Sequence, residues 1–201
     1  MSEPVPIATR LDVLTVPRQI DHLLTRTRDE HHRAILRNYR RHVLLELAGR
    51  WPEILSPSMT VPHPVYRSVI GPRTTVYDGV DEVAGFYRGL AEAGMGVSAP
   101  IEERVAVADW GLATDTLSLQ ILPGDVLAAQ GFPVPDVSGT YLFRLRVAMI
   151  WPYDEHARLI GENVYADLSS ARIEPADPAD IVTPERAAEL VTPLLDEAPA
   201  G

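Results

Sequence analysis

Two side chains in the N-terminal third have types suited to moving a proton. Tyr39 lies in a segment of helical periodicity, and His63 lies in Thr60-Val61-Pro62-His63-Pro64-Val65, an extended stretch 24 residues further on. An imidazole titrates near neutrality, and a phenol stays protonated at pH 7 while donating a strong hydrogen bond. In one cavity they form a base and a donor, the pair needed to take a proton from carbon beside a carbonyl. Asp115 is the third candidate, in the row Ala113, Asp115, Leu117, Leu119, Ile121 of a segment that alternates with period two. Among apolar neighbours its pKa rises and suits acid–base work; near the strand's end it reaches water or an arginine instead. The plainer readings of the other two are a strand-edge histidine bonded to backbone and a core tyrosine with its hydroxyl satisfied.

Composition removes several chemistries. There is no cysteine, which excludes disulfides, thiolate metal sites and thiol nucleophiles. All 18 basic residues are arginine, which excludes Schiff-base chemistry, pyridoxal phosphate attachment and a phosphate-binding loop that needs lysine. The formal charge of −10 argues against binding nucleic acid. His31 and His32 are adjacent on a helix, so they point about 100° apart, and neither has a histidine four residues on; no metal site is expected. No apolar run is long enough for a membrane span, and MSEPVPIATR lacks the layout of a signal peptide, so a cytoplasmic protein is expected.

The positioning elements follow from periodicity. Residues 1–16 read as an N-terminal arm, 17–170 as one α+β domain, and 171–201 as a C-terminal linker and helix. Apolar positions from Ile20 to Leu47 recur with helical spacing, with a break near Thr27–Glu30. Thr60–Ile70 is extended, Val80–Ala93 is an amphipathic helix, and Glu102–Trp110, Leu112–Leu122, Tyr141–Trp151 and Arg158–Leu168 alternate as sheet strands. Residues 123–139 form a loop long enough to act as a lid. Thr183 caps a terminal helix that Pro184 opens. The expected fold is a curved mixed or antiparallel sheet with N-terminal helices on its concave face, a cone-shaped α+β barrel.

Tyr141, Phe143, Met149 and Trp151 share one side of their strand, and Arg144 and Arg146 share the other, so the aromatic side faces inward. If Trp151 pairs near Leu159, then Asn163, Tyr165 and Asp167 also face inward; with Tyr66 these line the ligand site. Glu162 then lies outside with Arg144 and Arg146, a face read either as a homodimer interface with salt bridges or as an arginine pair gripping an anion. A register slip of one residue reverses these faces.

This order of elements resembles the SnoaL-like and ketosteroid isomerase-like branch of the nuclear-transport-factor-two-like superfamily. Tyr39 to Val65 can be laid on a ketosteroid isomerase without a gap, and Tyr77–Tyr87 looks like the family's Gly-x-x-x-apolar-x-x-Phe-Tyr helix. Glu103–Leu119 and Arg158–Asp167 look like its strands, and the likeness covers roughly residues 30–170. The resemblance implies Tyr39 as oxyanion donor and His63 in the place of the aspartate base. The second oxyanion acid would fall near Val147 or Ala148, where no acid stands, and Arg144-Leu145-Arg146 lacks the Arg-x-Asp of epoxide hydrolase relatives. His63, Asp115, Tyr39 and Tyr165 loosely echo scytalone dehydratase. The implied activity is a cofactor-independent lyase, isomerase or cyclase acting beside a carbonyl on an apolar polyketide-, terpenoid- or steroid-like molecule. The alternative is a non-catalytic ligand-binding or dimerisation module.

Overall fold

The computed structural model describes residues 10–197. Helix α1 (Arg18–Arg26) and helix α2 (Glu30–Leu47) are separated where Thr27 turns extended, and Asp29 caps α2 by accepting from the His32 amide. Strands β1 (Thr60–Ile70) and β2 (Arg73–Asp78) form a hairpin that leads into α3 (Val80–Glu92). Then come β3 (Ser98–Ala108), β4 (Gly111–Pro123), the short α4 (Gly124–Ala129), β5 (Thr140–Pro152), β6 (Leu159–Pro175) and α5 (Pro184–Asp196). Within residues 123–139, Leu127 of α4 packs on Leu122, Tyr141 and Phe143, and the Tyr141 hydroxyl donates to the Asp136 carbonyl at 2.8 Å. The segment therefore covers the outer end of the β4–β5 hairpin.

The six strands form one mixed sheet in the order β2-β1-β6-β5-β4-β3, with β1 and β6 parallel and every other pair antiparallel. This overturns the cone-shaped barrel. Closure would require β2 to pair with β3, and each is an edge with one neighbour, so the sheet is open and not strongly curled. Its edges carry their own protection: β2 is six residues long, and β3 exposes Glu102 and Arg104.

Pairing also fixes the faces. Tyr66 pairs with Glu162, Leu112 with Trp151 and Val107 with Leu112. Ile150 pairs with Asn163, the adjoining residues on the two strands, Trp151 and Glu162, are both buried, and one row of side chains crosses the sheet beneath the helices. Against it pack Ile20 and Leu24 of α1, Ile35, Leu36 and Tyr39 of α2, and Val83 and Tyr87 of α3. Each large apolar side chain so buried contributes on the order of 1.5–3 kcal/mol before entropy is counted. A second cluster joins α5, through Ala187 and Val191, to Leu44, Leu119 and Leu142, and it takes in Leu11 and Val13 from the segment before α1. Arg40 ties these helices together, pairing with Asp21 at 2.6 Å and donating to the Leu194 carbonyl at 2.9 Å.

The inward row on β6 is the reverse of the one expected. Tyr153 bridges Leu159, but Ile150 pairs with Asn163, so one extra residue enters β6 between them. The turn before it is closed by Asp154, whose carboxylate accepts from the amides of His156 and Arg158 while Ala157 takes a left-handed φ of 55°. The offset sends Glu162 inward, only 7% exposed, and leaves Tyr165 outside at 42%.

Candidate functional site

The structure separates the residues singled out from sequence. Tyr39 is buried on α2 and donates to Glu103 of β3 at 3.1 Å. His63 sits on the exposed side of β1, its side chain 72% accessible, paired with Asp78 at 2.7 Å. The imidazole also rests against Gly79, where an added Cβ would meet it at 3.2 Å. It braces the entry into α3 and shares no cavity with Tyr39. The proline-flanked β1 start, which breaks register between Thr60 and Val65, turns it outward.

Asp115, Tyr165 and Asp167 do come together, but on the uncovered face of the sheet. With Val69, Arg146 and Ala148 they line an open groove of about 390 Å³. Asp115 accepts from Arg146 at 2.7 Å and from Arg104 at 3.4 Å, so it is a paired surface carboxylate. Arg144 pairs with Glu174. Glu162, assigned with Arg144 and Arg146 to this face, is on the other side. Asn163 lies on the exposed side beside Ile150, Met149 is half-buried beneath the helices, and Tyr141 and Phe143 belong to the α4 cluster. His31 and His32 both hold Asp109 in the β3–β4 turn, at 3.0 and 2.8 Å.

The acid–base groups that do converge are others. His42 and Glu46 lie one turn apart on α2, on the face that meets Tyr87 of α3, Tyr66 of β1 and Glu162 of β6. The Tyr87 hydroxyl is the hub: 2.9 Å from His42 Nε2, 2.9 Å from the Tyr66 hydroxyl and 3.2 Å from Glu162 Oε1. One assignment satisfies all three contacts. Tyr87 donates to Glu162, while His42 Nε2–H and the Tyr66 hydroxyl donate to the Tyr87 oxygen. His42 Nδ1 then carries a bare lone pair, and it has no protein partner among the described residues.

Burial sets the protonation states. It pushes His42 down to about 3, so the ring is neutral. Burial, reinforced by the charge of Glu46, pushes Glu162 up to about 8, so at neutral pH the His42–Glu162 pair, 3.3 Å apart, holds its proton on the carboxyl. Burial also raises Glu46 to about 7. Its side chain keeps 34% of its surface accessible, so solvent reaches the carboxyl.

That accessible surface opens into a pocket of about 250 Å³ lined by Glu46, Trp51, Tyr87, Val97, Pro184 and Glu185, among others. Trp51 stacks on Tyr87, ring centroids 5.9 Å apart and 11° from parallel. A second acid–base contact, Tyr39 with Glu103, lies deeper; burial raises Glu103 to about 7. Trp151 joins the two clusters, its ring against both Tyr39 and His42 at 5.0 and 4.9 Å.

Glu162 was hidden by the register offset, but His42 and Glu46 carried a visible signal. Their i, i+4 spacing, three residues past Tyr39, places all three along one side of a helix.

Among the described residues, no group of three or more His, Cys, Asp or Glu is placed to hold a metal ion, and no helix is long and apolar enough to cross a membrane. Neither the models of known protein families nor the curated proteins show a match to this sequence.

Proposed function

We propose that this protein binds a small, mostly apolar molecule in the Glu46–Trp51–Tyr87 pocket and shifts a proton beside its carbonyl, as a cofactor-independent isomerase or lyase. The observation that carries this reading is a carboxyl raised to about 7 on the wall of a mostly apolar hollow. A base poised near the operating pH accepts a proton from carbon and returns it with little penalty in either direction. The His42–Tyr87–Glu162 network behind Glu46 contributes to this as a low-dielectric backing, since burial is what raises the carboxyl. At about 250 Å³ the pocket is below the usual range for drug-sized ligands, which favours a single ring or a short chain over a fused-ring steroid.

Deuterium exchange into cyclohexanone and 2-cyclohexenone, followed by NMR, tests this reading. Wild-type protein accelerates exchange at the α carbon, Glu46→Gln reduces the acceleration by roughly 10²–10⁴, and His63→Ala leaves it unchanged. Exchange that survives in Glu46→Gln removes this carboxyl from the chemistry.

A second reading, homodimerisation through the uncovered sheet face, is favoured by the exposed Val65, Ile150 and Tyr165 beside the Arg146–Asp115 pair. Sedimentation at micromolar concentration should show a dimer that Tyr165→Arg dissociates; a monomeric wild type rejects it.

A further inference from the structure

We propose that the pocket is selective for an organic cation, a small molecule carrying a protonated or quaternary amine. This deepens the reading of the Glu46 pocket as a ligand site and rests on it.

The lining holds two carboxylates, Glu46 and Glu185, and the indole of Trp51; no arginine or histidine lines it. Glu46 accepts no hydrogen bond from any described residue, and the nearest basic atom is Nε2 of the neutral His42 at 3.9 Å. Glu185 is in the first turn of α5, and hydrogen bonds from its own amide and from Thr183 hold it below the usual carboxylate range. It has no ion-pair partner among the described residues. The neighbouring arginines are engaged elsewhere, Arg186 with Glu189 at 2.8 Å and Arg50 with Glu53 at 2.6 Å.

An anion entering this hollow meets the charge of Glu185 and that of the ionised fraction of Glu46, neither of which has an ion-pair partner with a formal positive charge among the described residues. A neutral ligand strips water from Glu46 without replacing it. A cation satisfies both, and an indole face is the best aromatic partner for an ammonium. The chain's charge of −10 draws such ligands toward it. The chemistry gains as well. Proton removal beside a carbonyl leaves negative charge on oxygen, and no cationic side chain in the lining meets it. An ammonium close to the carbonyl supplies that charge from the substrate itself.

Choline, 3,3-dimethylbutan-1-ol and 3,3-dimethylbutanoate form an isosteric set of cation, neutral and anion. Titrated into wild-type protein by calorimetry and by the indole NMR signal of Trp51, choline should bind at least ten-fold tighter than the alcohol, and the carboxylate should not bind. Glu185→Gln, and Trp51→Leu followed by calorimetry alone, should each weaken choline several-fold more than they weaken the alcohol. Equal affinity for choline and the alcohol overturns cation selectivity and leaves the pocket standing. No response of the Trp51 signal to any of the three overturns the pocket as a ligand site, and selectivity with it.

Discussion

Between pH 6.5 and 8 the native state is expected to lose about 3 kcal/mol of stability, and Glu162→Gln to remove roughly half of that loss. In the unfolded chain a glutamate titrates near pH 4.5, whereas burial and the charge of Glu46 hold Glu162 to about 8 in the folded protein. Between those values the native state keeps a proton that the unfolded chain has released. The contribution of Glu162 is therefore fully present below the lower value and is lost as pH rises through the higher one. Glu103 and Glu46, each raised by burial to about 7, add to the same trend over the lower part of the window. His42 works in the opposite sense. Its folded value of about 3 lies below its unfolded 6.5, so its contribution is present above 6.5 and is lost as pH falls.

These opposing slopes overlap between pH 4.5 and 6.5 and separate above 6.5, where only the carboxyls change. Urea midpoints measured at intervals from pH 6 to 9 resolve the two. The decline should already be under way at 6.5 and level off beyond 8. The glutamine variant keeps the hydrogen-bonding shape of a protonated carboxyl and cannot ionise, so its midpoint should fall about half as far, through Glu46 and Glu103 alone, and level off nearer pH 7. A wild-type midpoint that does not move, or a Glu162→Gln midpoint that falls as steeply, means that Glu162 is charged in the native state and that the hub at Tyr87 is wired differently.

The helices were largely legible in the sequence because their signals are local. Thr183 and Pro184 marked the start of α5, and the break before Asp29 was visible as a lapse in apolar spacing. The strand faces were legible only in part: on β5 Met149 and Trp151 face the helices as their row implied, whereas Tyr141 and Phe143 of the same row pack with α4 and Leu142 of the opposite row is buried against α5. Faces on β6 and β4 depend on how strands pair, and a single extra residue near the Tyr153–Leu159 bridge reversed β6. Glu162 thereby passed from an outer salt-bridge residue to the floor of the acid–base network. On β4 Ala113, Asp115 and Leu117 take the less buried side, because Leu112, Thr114 and Thr116 take the buried one, whereas Leu119 and Ile121 further along the same row are buried in the α5 cluster. The Tyr39–His63 pairing failed for a related reason. Sequence spacing gives the distance along the chain, whereas the side of β1 on which His63 emerges depends on the irregularity between Thr60 and Val65. Closure of the sheet was equally out of reach, since nothing local to β2 or β3 says whether two distant edges meet.

Gly161→Ala is expected to destabilise the protein by about 3 kcal/mol or more, lowering the melting temperature by roughly 6–12 °C. Gly161 is the residue of β6 that faces Val65 across the one parallel pairing in the sheet. A Cβ built there would overlap the Val65 carbonyl oxygen, which is backbone and cannot swing aside. Relief requires β1 to move away from β6, and the next pair along is Tyr66 with Glu162. The displacement therefore reaches the acid–base network directly: water admitted beside Glu162 lowers its pKa and flattens the pH dependence argued above. The two measurements are linked, and a variant that melts lower should also show a shallower slope between pH 6.5 and 8. Gly85→Ala on α3 is the matched control, because its added methyl meets nothing within 4 Å. There the helix gains about 0.5–1 kcal/mol from the loss of glycine's freedom. If Gly161→Ala melts within about 2 °C of wild type, β1 and β6 do not approach as closely as described, and the placement of Glu162 beside Tyr66 goes with that approach.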